Sequence, residues 1–219
     1  MPALPVPTPT TSIGLRRALT SWRPIMPPRG QYAAAVPAPV SRDDYVEAGL
    51  ALLGEAGPAG LRLGALVQRL GVTTGSFYHH FDGMAGFRDV LLSHWEASRT
   101  AETALLAQAA TEVAPDLGIA VLREAALALP HAAERAIRAW SHQDPAVGAV
   151  QRRVDDGRRA SLRGTIERVV GDAAAAAALA DLGTTLLIGF QQGGDVDRLE
   201  VLGALLDDYE RLIRLHAAA

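Results

Sequence analysis

From Ser41 onward, apolar residues recur at three- and four-residue steps, the period of a helix with one buried face. Val46, Leu50 and Leu53 mark the first stripe. Ser41 with Asp44 three residues later resembles a capping box, and Gly57-Pro58 ends the run. Leu63, Leu66, Val67 and Leu70 form a second stripe of about two turns, which Gly71 stops because glycine enters the left-handed region without steric cost. Thr73 then stands where it can cap a third helix. In that helix Phe77 and Phe81 return to the core, while Thr74, Ser76, Tyr78 and His79 face outward. Two short helices joined by a tight turn, the second outwardly polar, form a helix-turn-helix pattern.

The pattern stays helical to the end. Met84, Phe87, Val90, Leu91 and Trp95 carry a connecting helix into a larger body, and Pro115, Pro130 and Pro145 fall near the starts of later helices. Between Pro145 and Val170 the stripe is Val147, Val150, Val154, Leu162, Ile166 and Val169. Arg152, Asp156, Arg159, Arg163 and Glu167 lie outside it. Asp155–Arg159 and Arg163–Glu167 have the spacing of solvated i,i+4 pairs. Ala173–Phe190 is crowded with alanine, leucine and glycine, and 197–216 places Leu199, Leu202, Leu206, Tyr209 and Ile213 on one face with Val201, Leu205 and Leu212 beside it. That arc is too wide for one neighbour, which predicts a homodimer through the last two helices rather than an entirely internal core.

Composition adds three limits. The 219 residues are 49% hydrophobic, enough for a sizeable core. There is no cysteine, which excludes disulfides and thiolate metal sites and allows a cytoplasmic location. No uninterrupted apolar run reaches the ~18–20 residues of a membrane span, since Asp172 and Asp181 cut the most apolar region. Residues 1–40 differ in kind: they hold nine of the 13 prolines, with Arg16, Arg17, Arg23 and Arg29 and no acid. This predicts disorder, and three readings of the segment stand. It is a tail without function, with Met26 as the true start; a basic arm that follows phosphates or enters the minor groove; or a targeting sequence, for which Arg16-Arg17 lacks a following apolar core.

Gly71, Val72, Thr73, Gly75, Phe77, Tyr78, His80 and Phe81 resemble, in order, the G-V-S-x-G-x-(L/F)-Y-x-H-F signature of the TetR (tetracycline-repressor-like) transcriptional regulators. The resemblance implies an all-α protein: a three-helix DNA-binding head over 41–85 and a helical effector-binding and dimerisation body over 86–219. It implies that Thr74, Ser76 and His79 touch base edges, that Tyr78 and His80 bond phosphates, and that Gly75 lets the backbone approach double-stranded operator DNA. Thr73 belongs to the same recognition segment. Arg42 and Arg62 are further phosphate candidates, Arg42 having a solvated helix end as its other reading. Three departures are visible. Met84 stands where the family carries a lysine, Arg62 stands where it carries a capping threonine, and residues 41–98 hold four arginines against seven acids.

In the family the body holds a small-molecule pocket. Trp95, Trp140, His142, Phe190 and Tyr209 are candidates to line it here, with plain core as their other reading. The abundance of alanine and the scarcity of paired charges at core positions suggest an apolar or aromatic effector. No cofactor, metal or catalytic residue is expected: there is no glycine-rich phosphate loop, nucleophile elbow or HExxH, and His131 with Glu134 reads as an isolated surface pair. The adjacent rings of His79 and His80 diverge by about 100° on a helix, which does not suit a metal, and their other reading is one core-packed ring and one solvated ring. The expected function is a ligand-responsive regulator, most simply a repressor. The alternative is a helical dimer with a degenerate head that binds ligands or partners.

Overall fold

The computed structural model describes residues 39–193 and 198–218, and these form helices without any strand. Helix α1 is Arg42–Ala56, followed by a short 3-10 turn at Pro58–Gly60. Helices α2 (Leu63–Leu70) and α3 (Thr74–His80) make the helix-turn-helix, and α4 (Gly83–Thr111) leaves the head. The body comprises α5 (Pro115–Leu127), α6 (His131–Ser141), α7 (Pro145–Val170), α8 (Ala173–Gln192) and α9 (Leu199–Ala217). The expectations for residues 1–38 lie outside the described residues.

Local chemistry accounts for the boundaries. Ser41 and Asp44 form the full capping box: Ser41 Oγ accepts from the Asp44 N–H at 3.2 Å and Asp44 accepts from the Ser41 N–H at 2.7 Å. That bonding holds the Asp44 pKa below the ordinary carboxylate value. Gly71 ends α2 in the left-handed region at φ 66° and ψ 30°, and the Val72 N–H turns back to the Val67 carbonyl at 3.0 Å. Pro115 and Pro145 open their helices where no intrahelical N–H is needed, and Asp144 caps α7 through the Ala146 N–H at 2.9 Å. At the far end of α4, Arg168 of α7 donates to the carbonyls of Ala110 at 2.7 Å and Val113 at 3.2 Å, satisfying groups that a helix end leaves open.

The 29 residues of α4 span about 43 Å at 1.5 Å per residue, so one rigid element reaches from the head into the body. The main core follows it. Tyr45, Leu53, Leu66, Phe77, Phe81, Phe87, Leu91 and Trp95 are continuous with Ile137, Trp140, Val147 and Val154. The core therefore crosses the organisational boundary at 85/86. Gly49 brings α1 against α4, because a Cβ there would stand 2.6 Å from Leu91 and 2.7 Å from Phe87. A second core joins Ile119, Ile166, Leu179, Tyr209 and Ile213 in the body.

Two charge patterns differ from expectation. Asp155 does not pair with Arg159 along α7; it crosses to Arg138 on α6, while Arg159 turns to Asp156 at 2.7 Å and Asp181 at 2.9 Å. Helix α8 is long and apolar enough to cross a membrane by length and composition, with mean hydropathy 1.6. Asp181 interrupts it, and it packs against α6, α7 and α9.

Candidate nucleic-acid interface and body cavity

The head is assembled around one ring. Tyr45, fully buried on α1, stands edge-on to Phe77 at 5.7 Å and to Phe81 at 5.5 Å, and its hydroxyl donates to Ser76 Oγ at 3.0 Å. Phe87 of α4 closes the cluster, 5.8 Å from Phe77 and 5.0 Å from Phe81. Rings in these edge-to-face arrangements add to the area they bury, so α3 is fixed against both α1 and α4.

What α3 shows to solvent follows from that attachment. Thr73, Thr74 and Gly75 are exposed at its start, and Tyr78 and His79 are exposed beyond them, Tyr78 with 61% of its surface. Ser76 and His80 depart from the expected outward role. Ser76 is half-buried because its hydroxyl is the acceptor for Tyr45, and the half-buried His80 ring packs 5.5 Å from the same tyrosine. Thr73 occupies the N-cap position, but its side chain makes no capping bond. A Cβ at Gly75 would meet only Thr73 Oγ1, at 3.6 Å. Packing inside the protein therefore does not require the glycine, which costs a helix about 1 kcal/mol relative to alanine.

Residues 46–89 match the family model of bacterial regulatory proteins, tetR family. They are a TetR-family helix-turn-helix domain. The chain thus carries the DNA-binding domain of a family of transcriptional regulators that is non-enzymatic. No curated protein matches it. In this TetR head the departures from the signature have structural counterparts. Met84 is half-buried against the head core rather than reaching outward as a lysine would. Arg62 sits exposed at the N-cap of α2 without a side-chain cap, and makes no ion pair among the described residues. The other arginines are engaged: Arg69 donates to Glu55 at 2.9 Å, Arg88 lies 5.8 Å from the centre of the Trp140 ring, and Arg42, though exposed, lies 5.3 Å from that of Phe81.

The body that follows this TetR-family head contains a cavity of about 120 Å³ bounded by residues of α4 to α9. Leu106, Leu122, Leu162, Leu187 and Ile188 give it apolar walls, and Arg138, Asp155 and Arg158 form a polar end. Arg138 donates two bonds of 2.7 Å to Asp155 and one of 2.7 Å to Gln191 on α8. Arg158 donates to Glu134 at 2.6 and 3.0 Å. Burial opposes the Arg158 charge, but the Glu134 carboxylate outweighs it and holds the guanidinium pKa above its ordinary value.

Of the five residues expected at a ligand pocket, Tyr209 lines this cavity. Trp95 and Trp140 belong to the core shared with the head, His142 is exposed at the end of α6, and Phe190 packs edge-on against His131 at 5.2 Å. Large rings served as core filling, while leucine and alanine left the open volume. The polar end lies outside what the sequence pattern predicts, and His131 and Glu134 are buried rather than surface groups. The signal was Glu134 and Arg138 falling in the same helical stripe as Ile137, where charge survives only with a partner.

Proposed function

We propose that this protein is a ligand-responsive repressor that binds a (pseudo)palindromic operator as a homodimer and releases it when a small-molecule effector occupies the body cavity. The observation that carries the reading is α4 itself. Its first turns pack Phe87 against Phe77 of α3 and Leu91 beside Gly49 of α1, and its later turns contribute Glu102, Thr103 and Leu106 to the cavity wall. A ligand that favours one placement of α4 therefore biases the head, provided it binds that placement better than the DNA-bound one.

Thr73, Thr74, Tyr78 and His79 supply the exposed recognition surface, and Gly75 is explained by a DNA backbone or base edge coming close where the protein itself leaves room. Arg42 and Arg62, both exposed, are assigned to phosphates on this reading. Ser76 and His80 act by holding α3 in position. Dimerisation is supported by Leu182 on α8 and Leu199, Leu205 and Leu215 on α9, each at least 40% exposed, and by the α8 apolar window being only 28% buried. A partner's α8 and α9 would cover them and set two heads for half-sites about 34–36 Å apart. A chromosomal operator places the protein in the cytoplasm.

A degenerate head is the second reading, favoured by the packed Met84 and the excess of acids over arginines. Fluorescence anisotropy separates the two. DNA flanking the protein's own gene, followed by selection from random duplexes, is expected to yield a site that resists scrambled competitor. Failure of both would leave the ligand- or partner-binding dimer.

A further inference from the structure

Every charged group lining the body cavity already has an opposite charge beside it. Glu102 pairs with Arg99 at 2.7 Å and Arg123 with Asp207 at 2.7 Å, in addition to the Arg138–Asp155 and Arg158–Glu134 pairs at the polar end. An ionised ligand would either enter without a counter-charge or take a partner away and leave a buried ion uncompensated, and both are strongly unfavourable. The walls select for a neutral molecule.

The uncharged polar groups of the lining are engaged with one exception. Tyr209 donates its hydroxyl to the Leu179 carbonyl at 2.5 Å, Thr184 to Ala180 at 2.8 Å and Thr103 to Arg99 at 2.8 Å. The Ser161 hydroxyl, on the α7 wall beside Leu162, is buried and has no hydrogen-bond partner among the described residues. A buried hydroxyl without a partner is a standing cost, and serine can turn among three staggered rotamers to meet a new one without giving up an internal bond. The volume of about 120 Å³ compares with the ~150 Å³ of an apolar cavity that holds one benzene.

We propose that the cavity takes an uncharged single-ring molecule carrying one hydroxyl or carbonyl group, and that this group pairs with Ser161. The assignment rests on the reading of this cavity as the effector site. Titration calorimetry on the full chain with phenol, toluene, benzoate and benzylamine tests it. Phenol is expected to bind best and toluene next. Benzoate and benzylamine are expected to be at least about 30-fold weaker than phenol. Ser161→Ala should weaken phenol by about three- to tenfold while leaving toluene unchanged. Benzoate or benzylamine matching phenol would overturn the neutral class, as would no binding of either neutral ring. Equal binding of phenol and toluene, or an equal effect of Ser161→Ala on both, would overturn the role of Ser161. Operator anisotropy run in parallel keeps the two readings apart: phenol that binds through Ser161 without releasing DNA upholds the cavity assignment and sinks its role as effector site.

Discussion

Tyr45 and Ser76 form one hydrogen bond that ties the recognition helix to α1, and its removal can be read without disturbing the ring packing. Tyr45→Phe and Ser76→Ala should each lower stability by about 0.5–1.5 kcal/mol in urea unfolding. The double mutant should cost little more than either, since the same bond is absent in all three; full additivity would show that the bond is not a unit. The apolar stripe of α1 is legible in the sequence and the role of Tyr45 is not, because its burial depends on rings more than thirty residues away meeting it in three dimensions. Ser76 reads as outward-facing for the same reason, since a helical register cannot show that its hydroxyl is taken from behind by Tyr45. His131 gives a second test at this scale. Burial lowers its pKa from the ordinary 6.5, while Glu134 pulls the other way. The folded state therefore binds fewer protons than the unfolded one, and stability present above pH 6.5 is lost as the pH falls below it. The melting temperature should fall less between pH 7 and pH 5 in His131→Leu than in the wild type; parallel curves would rule out this histidine as a source of acid sensitivity.

Among the helices, α6 ties α1 of the head to the polar end of the cavity. Its start packs on α1, where a Cβ at Gly54 would stand 3.4 Å from the Ala133 nitrogen, and Glu134 and Arg138 tie it to α7 and α8. Arg158→Met leaves the fully buried Glu134 carboxylate without its partner and should cost about 3–5 kcal/mol. Adding Glu134→Leu should recover most of that loss, because an apolar pair of similar volume carries no desolvation penalty. Denaturant midpoints of the single and double mutants decide it, and a double mutant no more stable than Arg158→Met would show that the loss does not come from an unpaired Glu134 charge. The helices themselves were legible: Gly71, Pro115, Pro145 and the Ser41–Asp44 box mark their ends in the sequence. The pairing of Asp155 with Arg138 rather than Arg159 was not, since i,i+4 spacing describes a helix alone and ignores the guanidinium brought up by its neighbour.

For the whole molecule, the exposed leucines of α8 and α9 and the charge of the head make separate demands. Leu182→Glu combined with Leu205→Glu changes side chains that are 45% and 40% exposed, so the monomer fold should survive while a two-helix interface should not. Sedimentation is expected to show a monomer with unchanged helical content and weakened operator binding; a dimer that persists would move the interface elsewhere.

The charge demand bears on residues 1–38. A duplex is held largely through phosphates, and each contact adds about 0.9 to the slope of log affinity against log salt. Within the head only Arg62 lacks an ion pair or an aromatic partner among the described cations, and Met84 offers no charge. The four arginines at 16, 17, 23 and 29 are the remaining supply on that side of the chain. If they reach the phosphates, a chain beginning at Pro39, which keeps Val40 packed on the core, should bind the operator more weakly. Its salt slope should be shallower by roughly 2–4 for each arm engaged. An unchanged slope would mean that the arm takes no part. Operator affinity would then rest on Arg42, Arg62 and the neutral groups of α3, and the two arginines of each head would limit the salt slope of a dimer to about 3.6.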